Sequence, residues 1–182
     1  MKWIIDKQFD FCYGHRVWSQ ELNAEFSLDS CFACRHLHGH QGKIKIYLAS
    51  DNLKNGMVTD FKHLNWFKEW IDNVLDHKFI IDRNDPLFFD LMSHYSKNNK
   101  FDESKFFYFD EGYWVCDLSF LDNQALIEKY EGMVVVDFVP TSENISAWLL
   151  NIAQKKMAKI GIDVVAIEFW ETPKSHCRVE KT

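Results

Sequence analysis

Three histidines stand where two predicted strands would point them to the same side. His38 and His40 flank Gly39 in an H-G-H triplet, and side chains two positions apart in a strand lie on one face. His15 ends the first alternating stretch, WIIDKQFDFCYGH, on the face that carries most of its apolar residues. Three histidines that leave a fourth position open are typical of a catalytic zinc site. We therefore predict a metal centre at His15, His38 and His40, although an H-x-H spacing taken alone also arises by chance.

Two cysteines just upstream offer a rival site. Cys31 and Cys34 form a Cys-x-x-Cys pair, which together with His38 and His40 would make a closed, four-ligand structural zinc site. Such sites usually take their second ligand pair from a distant element, and this one would leave His15 without a role. A third interpretation is that both cysteines are small buried side chains, as free cysteines commonly are. The open three-histidine site is the leading interpretation, with the cysteine site as its alternative.

Two further groups have side chains suited to acid–base or binding chemistry. Asp76 and His77 adjoin at the end of a predicted helix, where a carboxylate can tune an imidazole as a proton shuttle or can simply cap the helix. Glu171 ends an otherwise apolar strand face, and a buried carboxylate is costly unless something pairs with it. This carboxylate would suit the amidine-like edge of a heterocycle such as a pterin or guanine, or a salt bridge to a lysine or arginine.

Strands and helices must position these side chains. Alternating apolar residues predict three strands, over residues 3–15, 38–49 and 163–172. Gly39 leaves the opposite face of the second strand open to close packing. Apolar residues at three- and four-residue steps predict one helix that starts near Thr59 or Asp60 and another that Thr141 or Ser142 caps. The order strand–strand–helix and then helix–strand, without βαβ alternation, predicts an α+β fold with an antiparallel sheet.

Composition and charge exclude several classes of function. The 182 residues suffice for one well-cored domain, and nearly half are apolar, which is a globular composition. No apolar run approaches the length that spans a bilayer, and Asp6 and Lys7 interrupt any signal-peptide core. A net charge of −6 provides no basic surface for nucleic acid or an anionic membrane. Five cysteines without an export signal predict reduced thiols, so we expect a soluble cytoplasmic protein.

The negative charge is concentrated in one segment. Residues 83–138 carry 5 Lys and Arg against 11 Asp and Glu, whereas the rest of the chain is neutral. The segment is rich in aromatic residues, and Asp110-Glu111-Gly112 predicts a hairpin turn within it. We predict one domain over residues 1–182 with an acidic insertion at about 83–138, which serves as an outer decoration or an oligomer contact, with a lid as the alternative.

Six short motifs follow one another in the order of a known enzyme family. FCYGHR, CRHLHGH, GMVTDF, LDH, PTSEN and WET together resemble the 6-pyruvoyl-tetrahydropterin synthase / 6-carboxy-5,6,7,8-tetrahydropterin synthase family. The resemblance covers roughly residues 3–82 and 139–172 and excludes the acidic insertion, and PKSHCRVEKT lacks a clear version of the family's closing strand. It implies the tunnelling fold, with two helices on one face of an antiparallel sheet. Subunits of that fold form barrels that stack as a homohexamer, with active sites at the subunit interfaces.

The resemblance also implies a metal and a catalytic thiol. The family's zinc ligands fall on His15, His38 and His40, in agreement with the strand-face argument. Its catalytic cysteine falls on Cys34. In the carboxy-tetrahydropterin enzymes this cysteine stands four residues before the first histidine of H-G-H, as Cys34 stands before His38. The pyruvoyl enzymes carry theirs further upstream.

Other family residues fall on the remaining candidates. The Asp-His pair that works with the cysteine falls on Asp76 and His77, presented by a neighbouring subunit. The glutamate that anchors the pterin falls on Glu171. Thr141 and Ser142 would line the pterin pocket.

The activity that the resemblance implies is that of a zinc-dependent lyase. It would convert 7,8-dihydroneopterin triphosphate to 6-carboxy-5,6,7,8-tetrahydropterin with release of acetaldehyde and triphosphate, an early step towards queuosine and other 7-deazaguanines. One alternative is a pyruvoyl-type synthase, which eliminates triphosphate. Another, of a different class, is a zinc-stabilised oligomer that binds pterins without catalysis.

Overall fold

The computed structural model describes residues 1–181. The strands are β1 (Trp3–His15), β2 (His38–Ser50), β3 (Lys78–Asp82), β4 (Ser96–Lys97), β5 (Lys100–Phe101), β6 (Phe106–Phe109), β7 (Tyr113–Cys116), β8 (Met133–Val136), β9 (Asp163–Thr172) and β10 (Ser175–Glu180). The helices are α1 (Asn65–Val74), α2 (Phe88–Leu91), α3 (Gln124–Glu131) and α4 (Ser142–Ala158), with short 3-10 turns at Ala33–Arg35, Phe61–Leu64, Ser93–Tyr95 and Glu103–Lys105. Two compact units result: residues 1–12, 40–76 and 141–181 form unit 1, and residues 13–39 and 77–140 form unit 2.

Unit 1 is built on long antiparallel strands. β2 pairs antiparallel with β9, so that Ile44 faces Phe169 and Ile46 faces Ile167, and all four side chains are fully buried. These residues are the apolar halves of the alternating patterns, so burying them fixes which face of each strand meets the core. α4 packs against β9 and β10.

The predicted caps begin the 3-10 turn that precedes α1 and the helix α4. The Asp60 carboxylate accepts a hydrogen bond from the amide of Lys62 (2.8 Å), which starts the 3-10 turn that leads into α1. The Thr141 hydroxyl accepts one from the amide of Asn144 (3.2 Å) and caps α4. α1 buries Phe67, whose ring meets that of Phe9 of β1 edge-on, with the ring centroids 5.5 Å apart. The two predicted helices are therefore confirmed.

Unit 2 contains the acidic segment and has a core of its own. β3 pairs parallel with the last residues of β1 and with β8, β7 pairs antiparallel with β8, and β6 pairs antiparallel with β7. The β6–β7 turn is the predicted hairpin, in which Gly112 takes a φ of 90° that suits glycine. The buried core residues are Ile81, Phe88, Met92, Tyr95, Phe106, Trp114, Cys116, Tyr130 and Val135.

The predicted α+β class and the predominance of antiparallel pairing are confirmed, with two differences in detail. β3 lies parallel to its neighbours, since the long connections from β1 to β3 and from β3 to β8 each contain at least one helix rather than a tight turn. The closing segment, which shows no clear strand pattern, forms β10 antiparallel to β9. The assignment of a single domain with an insertion stays a prediction. No helix within residues 1–181 is long and apolar enough to cross a membrane.

Candidate functional site

The three histidines converge as the strand pattern predicts. Potential ligand atoms of His15, His38 and His40, one from each ring, all lie within 4.8 Å of one another. His15 ends β1 and is fully buried, whereas His38 and His40 begin β2 and are partly exposed. Within the described chain this group includes no cysteine, and Cys31 is exposed. The arrangement therefore fits an open three-histidine site rather than the closed cysteine site.

Backbone carbonyls orient two of the rings. Nδ1 of His15 lies 2.7 Å from the carbonyl oxygen of Pro140, and Nδ1 of His38 lies 2.8 Å from that of His36. Because a carbonyl oxygen only accepts hydrogen bonds, each Nδ1 must donate, which leaves Nε2 of the neutral ring with its lone pair. Metal-binding histidines commonly have this support from a backbone carbonyl. The donor set therefore fits a divalent ion that prefers imidazole, such as Zn²⁺.

A carboxylate lies beside the third histidine. Oε1 of Glu171 is 3.6 Å from Nε2 of His40, with side-chain exposures of 24% and 19%. Glu171 lies near the end of β9 and His40 near the start of β2, which are antiparallel neighbours. The residue predicted to bind a heterocycle therefore also contacts a predicted metal ligand.

Gly39 holds two strands close together at this site. A Cβ atom at Gly39 would stand 2.9 Å from the carbonyl oxygen of Tyr13, closer than a side-chain carbon normally approaches backbone. The close packing predicted at this glycine is confirmed. Any larger residue at position 39 would push the backbone of β2, between His38 and His40, away from the backbone of β1 at Tyr13.

The candidate thiol lies on a short turn that backbone and side-chain hydrogen bonds attach to the segment after β1. Cys34 is in the 3-10 turn Ala33–Arg35 and is partly exposed. Its amide donates to Oε1 of Gln20 (3.0 Å), and its carbonyl accepts from the amide of Val17 (2.7 Å). The Arg35 guanidinium donates to the Gln20 carbonyl. Gln20 therefore holds this turn through both its side chain and its backbone, a role that no local sequence signal indicates.

The Asp76–His77 pair forms a strained turn after α1. Oδ1 of Asp76 accepts a hydrogen bond from the amide of Cys12 (2.7 Å), so this carboxylate ties the turn to β1 rather than capping the helix. His77 is exposed and has a φ of 58°, a backbone conformation that non-glycine residues adopt only when their surroundings enforce it.

The PTSEN motif performs two structural tasks. The carbonyl of Pro140 orients His15, and the next residue, Thr141, caps α4. Ser142 begins α4, and its hydroxyl lies 3.3 Å from a carboxylate oxygen of Glu143. The sequence predicts the cap but contains no signal for the contact between Pro140 and His15, which are 125 residues apart.

A buried ion pair supports the segment that leaves β1. Nε of Arg16 is 2.9 Å from Oδ2 of Asp85, with side-chain exposures of only 9% and 1%. Burial raises the pKa of Asp85, which the Leu87 amide and the Arg16 charge only partly offset. Nearby, the indole of Trp18 donates to Asp82 (2.9 Å). No local sequence signal indicates this network, because its partners lie more than sixty residues apart.

Sequence comparison relates the chain to named proteins. The sequence model of the protein family described as 6-pyruvoyl tetrahydropterin synthase matches residues 4–182 of this chain. The 6-carboxy-5,6,7,8-tetrahydropterin synthase of Aquifex aeolicus (strain VF5) is 30% identical over 187 residues, which cover 96% of this chain and 96% of that protein. A protein of the same name from Synechocystis sp. (strain ATCC 27184 / PCC 6803 / Kazusa) is 36% identical over 86 residues, or 44% of this chain and 59% of the relative.

Solved structures give a consistent fold. An uncharacterized protein from Wolinella succinogenes is 52% identical and superposes with a TM-score of 0.94, covering 100% of this chain and 99% of its own. The 6-pyruvoyl tetrahydropterin synthase of Caenorhabditis elegans superposes with a TM-score of 0.56 at 16% identity, covering 100% of this chain and 97% of its own. At that identity the second likeness concerns the fold alone, which is the tunnelling fold.

Proposed function

The chain belongs to the 6-pyruvoyl tetrahydropterin synthase family, and from this premise we propose that it converts 7,8-dihydroneopterin triphosphate to 6-carboxy-5,6,7,8-tetrahydropterin, with release of acetaldehyde and triphosphate. The relative from Aquifex aeolicus, aligned over nearly the whole chain, is named for that product. The observation that carries the proposal is the three-histidine cluster with two rings fixed by carbonyls.

Zinc is the metal proposed for this cluster. Nε2 of His15 and of His38 carries the lone pair because each Nδ1 donates to a carbonyl, and His40 completes the set. Imidazole nitrogens are ligands that zinc prefers, and three of them leave a position for substrate. Bound there, Zn²⁺ would supply Lewis-acid polarisation of the hydroxyl oxygens on the substrate's side chain.

Cys34, Asp76 and His77 are the proposed proton-transfer groups. The Cys34 thiolate would take a proton from a side-chain carbon of the substrate, and the turn held by Gln20 would orient it. His77 would carry the proton onward, and Asp76 would fix the turn from which His77 projects. We propose that a neighbouring subunit supplies this pair, as in the family.

Glu171, Thr141 and Ser142 are the proposed binding residues for the pterin. The Glu171 carboxylate can accept two hydrogen bonds from the 2-amino and N3 positions of the pterin ring. Its position 3.6 Å from His40 would bring the ring close to the metal ligands. Thr141 and Ser142, at the first turn of α4, would contact the same ring.

The wider setting is part of the same proposal. The enzyme would be a cytoplasmic homohexamer with its sites at subunit interfaces and would provide a precursor of queuosine. The remaining alternatives are a pyruvoyl-type synthase and a non-catalytic pterin-binding protein.

Product analysis tests the reaction. Purified zinc-loaded protein is incubated with 7,8-dihydroneopterin triphosphate, and acetaldehyde, triphosphate and the pterin products are quantified. Acetaldehyde in a 1:1 ratio with triphosphate is the expected result. Triphosphate without acetaldehyde would favour the pyruvoyl-type activity, and neither product would favour the non-catalytic alternative.

Two variants test the roles of the residues. Cys34→Ala should abolish turnover while zinc content and folding persist, because the thiol is proposed as a reagent rather than a ligand. His15→Ala should lose the metal. Stoichiometric loss of zinc from Cys34→Ala would contradict the three-histidine assignment.

A further inference from the structure

Two buried carboxylates stand in the turn that opens the acidic segment. Asp82 ends β3 and Asp85 follows three residues later, with 2% and 4% of their surfaces exposed. The amide of Asp85 donates to the carbonyl of Asp82 (3.0 Å), which closes a four-residue turn over residues 82–85. Burying a carboxylate is costly unless its oxygens are paired, so the partners of these two side chains indicate what the turn does.

One oxygen of each carboxylate fixes the turn itself. Oδ1 of Asp82 accepts hydrogen bonds from the backbone amide (2.9 Å) and the side-chain amide (3.1 Å) of Asn84. Oδ1 of Asp85 accepts one from the amide of Leu87 (2.8 Å). These bonds hold both side chains in place and set the direction in which the second oxygen of each carboxylate points.

The second oxygens hold the segment that follows β1. Oδ2 of Asp82 accepts a hydrogen bond from the indole of Trp18 (2.9 Å), and Oδ2 of Asp85 lies 2.9 Å from Nε of Arg16. Trp18 and Arg16 are the two chain neighbours of Val17. A carboxylate offers two accepting oxygens where an amide offers one, so each acid can fix the turn and this segment at once. The turn therefore holds Val17 from both sides along the chain.

Val17 connects this turn to the candidate thiol. Its amide donates to the carbonyl of Cys34 (2.7 Å), and its carbonyl accepts a hydrogen bond from the amide of Gln20 (3.1 Å). Oε1 of Gln20 accepts one from the Cys34 amide (3.0 Å). Two backbone hydrogen bonds of Cys34 therefore depend on where residues 16–20 lie, and the two buried carboxylates hold that segment.

We propose that Asp82 and Asp85 are positioning residues for the thiol of Cys34, and that they act through Trp18 and Arg16. The proposal rests on the proposed function, in which Cys34 takes a proton from the substrate, and it gives the start of the acidic segment a task at the active site. Displacing a reacting group by about 1 Å can reduce turnover about 10- to 100-fold, so loss of either contact should lower kcat. Zinc content and KM should not change, because neither carboxylate is a proposed ligand of zinc or substrate.

Trp18→Phe tests the contact with Asp82. It removes the indole N–H but keeps an aromatic ring, so kcat should fall about 10- to 100-fold while KM and zinc content stay at their wild-type values. Trp114→Phe is the matched control, because the indole nitrogen of Trp114 is buried in the core of unit 2 and has no hydrogen-bond partner within residues 1–181. This control should leave kcat unchanged. A wild-type kcat in Trp18→Phe, or an equal loss in Trp114→Phe, would overturn the proposal.

A double variant tests whether Asp82 acts through Trp18. Asp82→Ala removes the acceptor, and its kcat should fall at least as far as that of Trp18→Phe. Adding Trp18→Phe to Asp82→Ala should cause no further loss, because the contact is already absent. Losses that multiply in the double variant would overturn the link between the two residues. Far-UV circular dichroism shows whether each variant is folded, and the comparison of Trp18→Phe with its control decides the proposal without Asp82→Ala.

Asp85→Asn tests the contact with Arg16. The amide oxygen can replace Oδ1 and accept from Leu87, which turns the NH2 group, a donor, towards the guanidinium. We expect kcat to fall about 10- to 100-fold with KM unchanged. Asp137→Asn makes the same change in an acid that pairs with Arg83 instead and should leave kcat at the wild-type value. Equal values of kcat in the two variants would overturn the role of Asp85.

Amide hydrogen exchange tests the same contacts without substrate. The amides of Val17 and Cys34 are the donors of two hydrogen bonds that hold the thiol turn. Their exchange should become about 2- to 10-fold faster in Trp18→Phe, the factor that corresponds to losing one ordinary hydrogen bond, and should not change in Trp114→Phe. Mass spectrometry with fragmentation measures both amides. Wild-type exchange in Trp18→Phe would overturn the proposal whether or not the chain is an enzyme. Faster exchange in a chain without turnover would instead overturn the proposed function and support the link to Cys34.

Discussion

The backbone amide of Cys34 donates a hydrogen bond to Oε1 of Gln20 (3.0 Å), and the Cys34 carbonyl accepts one from the amide of Val17 (2.7 Å). The turn that carries the candidate thiol is thus held on both sides by the segment that follows β1. His15 ends β1 only a few residues earlier. A single stretch of chain therefore positions both a predicted metal ligand and the thiol proposed for proton transfer.

Gln20 should act as a positioning residue for the thiol. Gln20→Ala removes the acceptor of the Cys34 amide, and misplacement of a reacting group by about 1 Å can reduce turnover about 10- to 100-fold. We expect kcat to fall within that range while the zinc content stays at the wild-type value. Gln20→Glu keeps an accepting oxygen and should recover most of the lost turnover. Equal losses in the two variants, or loss of zinc, would contradict this role.

Glu171 has two possible tasks that one variant separates. As the pterin anchor it would make charge-assisted hydrogen bonds, so Glu171→Gln should lower kcat/KM about 10- to 100-fold without changing zinc affinity. If Glu171 instead supports His40 as a metal ligand, Glu171→Gln should lower zinc affinity about 10- to 100-fold. The proposed function predicts the first result, which steady-state kinetics and a competitive chelator titration measure together.

Glu168→Gln is the matched control for that experiment. Glu168 lies three residues earlier on β9, where it accepts hydrogen bonds from Tyr47 (2.7 Å) and Arg178 (2.7 Å). Burial opposes its ionisation, but these two hydrogen bonds outweigh it and hold the Glu168 pKa below its usual value. The variant should leave both kcat/KM and zinc affinity unchanged, since neither partner belongs to the candidate site.

Alternating apolar patterns predict the strands that carry the histidines. Only one pairing register of each strand buries all of its apolar residues, so the pattern determines which side chains share a face. A one-residue slip of β2 would expose Ile44 and Ile46, so the pattern also determines that His38 and His40 share a face. The cap at Thr141 is equally local, because one hydroxyl and one amide three residues apart specify it. These features need no knowledge of distant partners.

Contacts between distant segments could not be predicted in this way. Nothing in the sequence indicates that the Pro140 carbonyl contacts His15. Nothing in the sequence indicates that Arg16 pairs with Asp85 either. A short strand such as β3, with three apolar residues between Lys78 and Asp82, does not specify a partner or a direction, so the sequence does not predict its parallel pairing with β8. β10 is a polar edge strand, whose half-exposed residues blur the alternation. The catalytic and substrate-binding roles of the site residues stay predictions.

The buried ion pair should matter more to stability than an exposed one. Arg16→Ala leaves the Asp85 carboxylate buried without its charge partner, and such changes cost about 3–5 kcal/mol of unfolding free energy. Arg83→Ala removes a two-bond pair with Asp137 at side-chain exposures of 33% and 48% and should cost only about 0–1 kcal/mol. Urea unfolding of the two variants measures the difference, and equal costs would contradict the argument.

Arg16→Ala should also change how the free energy of unfolding depends on pH. Burial already raises the Asp85 pKa, and removing Arg16 removes a charge that lowers it. A carboxyl whose pKa is higher in the folded than in the unfolded state binds its proton more tightly when folded, so stability falls as pH rises above the unfolded value of about 4. The deficit of Arg16→Ala should therefore shrink when unfolding is measured at pH 5 instead of pH 7. A deficit that grows on acidification would exclude Asp85 as its source.

Thiol labelling should separate the five cysteines by their surroundings. Burial raises the pKa of Cys116 to about 12, a shift that its contact with Tyr95 only partly offsets. At pH 8 this thiol is therefore protonated and shielded, whereas Cys12 and Cys31 are exposed. A disulfide reagent followed by mass-spectrometric mapping should modify Cys12 and Cys31 within minutes and Cys116 only when unit 2 opens. Because Arg16 and Asp85 form the more buried pair of that unit, Arg16→Ala should speed labelling of Cys116 more than Arg83→Ala does. Labelling of Cys116 as fast as Cys31 in the native protein would show that the core around β7 is open.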